Sequence, residues 1–297
     1  MFLRVLSGAL LLLGATVASA AVSEIPKVMS SETKECVACH KKNNPGLVQM
    51  WGSSKHYGAN VGCYECHAAS ADDPDAFIHD DRKVKKHISI IVSPADCANC
   101  HEHEAAEMKS SHHAEAGKIM GSLDNLLAEV VEGDMGMITE GFPDGVSAAA
   151  VNGCWQCHGS HVKVLEDGAL DPATWPNTGI GRINPDGSKG TCAACHSRHS
   201  FSVAQARQPE NCTKCHMGPD HPQKEIYEES KHGIAYVANR EKMNLDNSKW
   251  IPGEDYYAAP TCATCHMSAT KTENVTHNVG DRISWTNRPP VSKRQGW

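Results

Sequence analysis

All fourteen cysteines of this 297-residue sequence fall into one repeated arrangement, Cys-x-x-Cys-His, which occurs seven times. The first cysteines are Cys36, Cys63, Cys97, Cys154, Cys192, Cys212 and Cys262, and the second are Cys39, Cys66, Cys100, Cys157, Cys195, Cys215 and Cys265. His40, His67, His101, His158, His196, His216 and His266 follow directly. Two thiols one helical turn apart can each form a thioether to a porphyrin vinyl group while the next imidazole turns onto the iron, so the spacing reads as covalent c-type haem attachment. A lone Cys-x-x-Cys could serve zinc or thiol–disulfide exchange, but neither explains seven adjacent histidines. No cysteine is left over for a disulfide, and seven haem c groups are expected.

An electron-transfer haem is commonly closed by a second axial ligand, whereas a haem that does chemistry keeps one position open. Eleven of the 18 histidines lie outside the motifs: His56, His79, His87, His103, His112, His113, His161, His199, His221, His232 and His277. Six closed irons would use six of them, and His56, His87, His112, His199, His232 and His277 are the candidates. An internal repeat supports two of these. Trp51, Ser54, Lys55 and His56 follow His40 at the same offsets at which Tyr227, Ser230, Lys231 and His232 follow His216. A helix from Pro222 to His232 would carry its end about 15 Å away at 1.5 Å per residue, so His232 should ligate a neighbouring haem. A further Ser-x-His, Ser110-Ser111-His112, overlaps His113.

The elements that must hold these groups are legible in pieces. Ile119, Met120, Leu123, Leu126, Leu127, Val130 and Val131 recur at helical spacing and predict an amphipathic helix over 119–131. Pro222 opens a second predicted helix ending near Gly233. No convincing alternating strand pattern is visible. With 5% aromatic residues and a mean hydropathy of -0.43, the polypeptide alone offers a thin core, and buried porphyrin faces must supply much of the rest. The expected fold is therefore mainly α, with helices and long loops wrapped around stacked haems and little β structure.

Arg4, the run Leu10 to Leu13 and Ala18-Ser19-Ala20 predict a signal peptide over 1–20, and hence a periplasmic or equivalent extracytoplasmic location. The remaining organisation is expected to be an N-terminal three-haem region over 21–120, a helical linker over 121–150 and a four-motif region over 151–297. The formal charge of -7, made more negative by haem propionates, argues against nucleic acid as a partner.

Several stretches strongly resemble the hydroxylamine oxidoreductase family, including hydrazine dehydrogenases. They are Trp175-Pro176-Asn177-Thr178-Gly179-Ile180-Gly181-Arg182, Cys192 to Phe201, Ala206 to Glu210, Gly218 to Gln223, Ser230 to Gly233 and Pro260 to Met267. In that family eight c-type haems form a close-packed array, of which three precede a portion similar to pentahaem nitrite reductase and the fourth is catalytic. By order, the resemblance assigns the catalytic haem to Cys154 and Cys157 with His158 as proximal ligand, and Trp155 matches the Cys-Trp-x-Cys-Lys motif of the pentahaem enzymes except that histidine replaces lysine. It also implies a small nitrogen-compound substrate, a redox partner that is a cytochrome or a quinone-linked membrane protein, and a homotrimer. The sequence ends at Trp297 without an eighth motif or the family's long C-terminal helices, so a fragment or a short member is expected.

The family's catalytic Asp-His pair corresponds to Asp220 and His221. Histidine titrates near neutrality and can give or take a proton, with a carboxylate orienting it and stabilising its charged form. On residue chemistry alone, His221 serves equally well as a distal ligand, and Asp220 as a cap for the helix at Pro222. The resemblance selects the proton-handling role.

Overall fold

The computed structural model describes residues 28–81, 84–120, 154–218 and 222–282. The predicted signal peptide, the 121–150 linker, most of the 119–131 helix, and Asp220 with His221 lie outside the described residues.

The N-terminal part is built from α1 (Ser31–Asn43), α2 (Pro45–Gly52), α3 (Lys55–Gly58) and α4 (Cys63–His67), then strands β1 (Phe77–Asp81) and β2 (Val84–Ile88), then α5 (Pro94–Ala98), α6 (Glu102–Ser110) and α7 (His112–Met120). After the linker come α8 (Trp155–His158), α9 (Val203–Arg207), α10 (Pro209–Thr213), α11 (Gln223–Glu229), α12 (Lys231–Asn239) and α13 (Cys262–His266). The mainly helical expectation matches this architecture. The hairpin of β1 and β2 was not legible as strands, because its outer residues are charged and its alternation is short.

Five of the short helices open on a serine cap. Ser30, Ser54, Ser93, Ser202 and Ser230 each accept a backbone N–H of the first helical turn. The expected continuous helix from Pro222 to Gly233 is in fact two helices. At Ser230 the backbone is extended (φ -76°, ψ 161°), and its hydroxyl oxygen accepts from Gly233 N–H at 3.2 Å, so the cap of α12 wins over continuation of α11.

Two small apolar clusters brace the ends of the described chain. Met29, Val37, Val48 and Trp51 pack together in the first, and Tyr236, Met243, Trp250, Tyr256, Ala259 and Ala263 in the second. In the first cluster Trp51 also donates to the carbonyl of Val61 at 3.0 Å. Much of the remaining interior is lined by the motif residues.

Candidate functional site

Each motif is close to one turn of helix, as thioether attachment requires. The N–H of His101, His158, His196 and His216 donates to the carbonyl of the first cysteine of its own motif at 2.9, 3.0, 2.9 and 3.1 Å. The intervening residues take part in the fold. In the second motif Glu65 accepts from Gly62 N–H at 2.9 Å and from Thr33 Oγ1 at 2.8 Å, while Thr33 Oγ1 accepts from Tyr64 N–H at 3.1 Å. Thr33 thereby fastens α1, which carries the first motif, to α4, which carries the second. In the seventh, Thr264 Oγ1 accepts from Thr261 N–H at 3.0 Å.

Cysteine thiols of different motifs lie near enough in pairs to influence one another's ionisation: Cys36 with Cys63, Cys97 with Cys192, Cys157 with Cys215, and Cys212 with Cys262. None of the fourteen cysteines is joined in a disulfide. Among the described residues no three His, Cys, Asp or Glu side chains converge as a metal cluster would need. The donors are set out in opposing twos.

Five motif histidines each face a histidine from elsewhere in the chain. His40 faces His79 with ring centres 6.2 Å apart, His101 faces His56 at 6.2 Å, His67 faces His199 at 6.3 Å, His216 faces His113 at 6.2 Å and His196 faces His277 at 6.5 Å. Two metal–imidazole bonds of about 2 Å, with the offset of each nitrogen from its ring centre, sum to about the same separation. Such a gap suits one iron held between two imidazoles. The residues present therefore fit haem c.

The candidate distal histidines sort cleanly by position. His56, His199 and His277 lie against motif histidines. His87 does not: it pairs in register with Ile78, whereas His79 pairs with Lys86, and strand alternation turns these two histidines to opposite faces of the hairpin. Lys86 binds Glu32 of α1 at 2.6 Å, so the face carrying His79 is the one that docks on α1 beside His40. His112 is exposed at the start of α7, while the next residue, His113, lies on the buried side with Ala116 and Gly117 and faces His216. His232 is exposed in the first turn of α12. His79 and His113, which the sequence reading did not single out, are the histidines that lie against His40 and His216. The helix-leading serine was the available signal for the second, since Ser54-x-His56 and Ser230-x-His232 have their parallel in Ser111-x-His113 rather than Ser110-x-His112.

Local contacts orient the rings. The Nδ1 of His67 lies 2.7 Å from the carbonyl of Ser89, which as a donor leaves Nε2 for iron. His56 is packed edge-on by Phe201, whose ring centre is 4.9 Å away and whose backbone is left-handed at φ 46°. Burial, and then the neighbouring His277, His101 and His56, push the His196 imidazole down to about 4, so it is neutral, the form that ligates iron. A cavity of about 520 Å³ runs among Cys36, Cys63, Cys66, Cys97 and Cys192.

Comparison with known proteins places this geometry. Residues 185–295 match the family described as "Seven times multi-haem cytochrome CxxCH", and residues 14–68 match "Cytochrome c554 and c-prime". Over 254 residues, 78% of the chain, the sequence is 32% identical to a "probable nitrite reductase-hydroxylamine oxidoreductase fusion protein" of Kuenenia stuttgartiensis, of which it covers 25%. The chain thus spans about a quarter of the length of that curated relative. A solved structure titled a hypothetical multiheme protein is 33% identical with a TM-score of 0.70, covering 85% of this chain and 57% of that one. A reducing HAO-like protein complex of K. stuttgartiensis is 25% identical with a TM-score of 0.51, covering 83% of this chain and 43% of that one.

Proposed function

Given a chain that is a multihaem cytochrome homologous to hydroxylamine oxidoreductase-like proteins, we propose that it is an extracytoplasmic oxidoreductase acting on a small nitrogen compound, with hydroxylamine oxidation to nitric oxide or nitrite as the preferred reaction. Nitrite or hydroxylamine reduction is the reverse of the same chemistry. Haem c, when bound, supplies one-electron chemistry at iron and a path for electrons. His40, His67, His101, His196 and His216, with His79, His199, His56, His277 and His113 facing them, would hold five of the irons, and His158 would hold the haem that meets substrate.

The observation that carries this reading is the nearness of Cys157 to Cys215, whose thiols are close enough to act on each other's ionisation. It sets the fourth motif beside the sixth, and the sixth motif leads directly into the stretch holding Asp220 and His221. Both ends of that stretch are tied down. Lys224 N–H donates to the His216 carbonyl at 3.0 Å, and Gly218 N–H to Glu225 Oε1 at 3.2 Å. His221 then moves protons to or from the nitrogen compound, and Asp220 orients its ring and stabilises its charged form. Haems held at these neighbouring motifs would pass electrons toward a cytochrome or a quinone-linked membrane protein, and the assembly is a homotrimer.

The test is spectroscopic. One high-spin iron that responds to hydroxylamine or nitrite, among low-spin irons, is expected by electron paramagnetic resonance. Replacement of His221 with alanine is expected to abolish turnover and leave the low-spin signals intact. Uniformly low-spin irons indifferent to both compounds would make the protein an electron conduit, the reading that the five facing histidine pairs favour on their own.

A further inference from the structure

Arg182 is the largest fully buried side chain, 2% exposed, yet it has no acidic partner among the described residues. Its Nε donates to Asn184 Oδ1 at 2.6 Å, Nη1 to the Asn177 carbonyl at 3.2 Å and Nη2 to the Val92 carbonyl at 3.4 Å. A guanidinium has five N–H donors, so two remain. The carboxylates nearest in effect are engaged elsewhere: Asp186 accepts from Ser93 and Ser188, and Asp75 accepts from Ser89. A second guanidinium, Arg198, adds repulsion rather than relief. Both arginines line the apolar cavity that also holds Cys63, Cys97, Cys192 and His199.

Burying a charge without a counter-charge costs several kcal/mol, and burial with the nearby Arg198 already pushes the Arg182 guanidinium down to about 10. A fold does not keep such a group at a cavity wall unless an anion completes it. We propose that Arg182, with Arg198 beside it, receives a carboxylate side chain of a porphyrin seated in this cavity and holds that haem's reduction potential up. Trp175, whose ring lies 5.5 Å below the Arg182 guanidinium, braces the plane in which the carboxylate is met. The two remaining guanidinium donors would suit the bidentate carboxylate contact that arginine favours. A cation there favours the reduced, less positive haem.

The inference rests on the haem c reading, and the experiment separates the two. Full-length protein matured with haem is compared as wild type, Arg182→Lys, Arg182→Gln and Arg198→Gln, with covalent haem counted by intact mass and potentials read by redox titration followed by electron paramagnetic resonance. With the haem count unchanged, Arg182→Gln is expected to disfavour reduction of a single haem about tenfold, a fall of about 59 mV for one electron. Arg198→Gln is expected to move the same haem less, and Arg182→Lys to keep most of the wild-type potential. Unchanged potentials in both glutamine variants would reduce Arg182 to a loop brace and overturn the proposal. Where Arg182→Gln does not fold, Arg198→Gln decides alone. Wild-type protein without covalent pigment would remove the haem reading itself.

Discussion

At the scale of single residues, which histidine faces a motif histidine is decided by one-residue parity. His79 and His87 are both on the hairpin, but only His79 shares a face with Lys86, the residue that docks on α1. Replacing His79 with alanine is therefore expected to convert one low-spin iron to high-spin, visible by electron paramagnetic resonance, while His87→Ala leaves the spectrum unchanged. The same contrast is expected for His113→Ala against His112→Ala. The seven Cys-x-x-Cys-His units could be read from the sequence in full, because attachment chemistry is local and needs only five consecutive residues. Which histidines would lie against the motif histidines was harder to read, because a strand or helix face is set by packing against a distant segment. Asp220 and His221 rest on resemblance and on their flanks, which makes His221→Ala the sharpest single substitution for the proposed chemistry.

At the scale of elements, close backbone approach fixes α7 in place. A side chain at Gly117 would put a Cβ 2.3 Å from the Gly181 carbonyl oxygen and 3.2 Å from the Gly159 backbone, so neither neighbour can yield cheaply. Gly159 itself lies at φ 84°, directly after the fourth motif. The glycines thus seat α7, and with it His113, against the region following α8. Gly117→Ala is expected to cost about 1–3 kcal/mol by overpacking, read as a lowered thermal midpoint, and to disturb the low-spin signal of the iron between His113 and His216. The single helix expected from Pro222 to Gly233 is broken for a local reason. Serine caps restart the chain, as at Ser230, so two short helices replace one long one and the histidine after the cap takes a new direction.

At the scale of the whole molecule, the polypeptide supplies two apolar clusters with motif residues lining much of the space between, as the low aromatic content led us to expect. Chain produced without thioether formation is therefore expected to keep some helix by far-ultraviolet circular dichroism but to lose its near-ultraviolet signal and bind a hydrophobic dye, whereas the haem-loaded protein melts cooperatively. The facing pairs are also strongly non-local. His67 belongs to the second motif, yet in a chain exported as proposed His199 would emerge only after three more motifs had passed. During vectorial emergence that iron would sit with one side uncovered while nearer imidazoles, His56, His79 and His87 among them, compete for it. Maturation would then need a way to release wrong partners, and slow exchange of these trapped ligands would set the pace at which active protein accumulates.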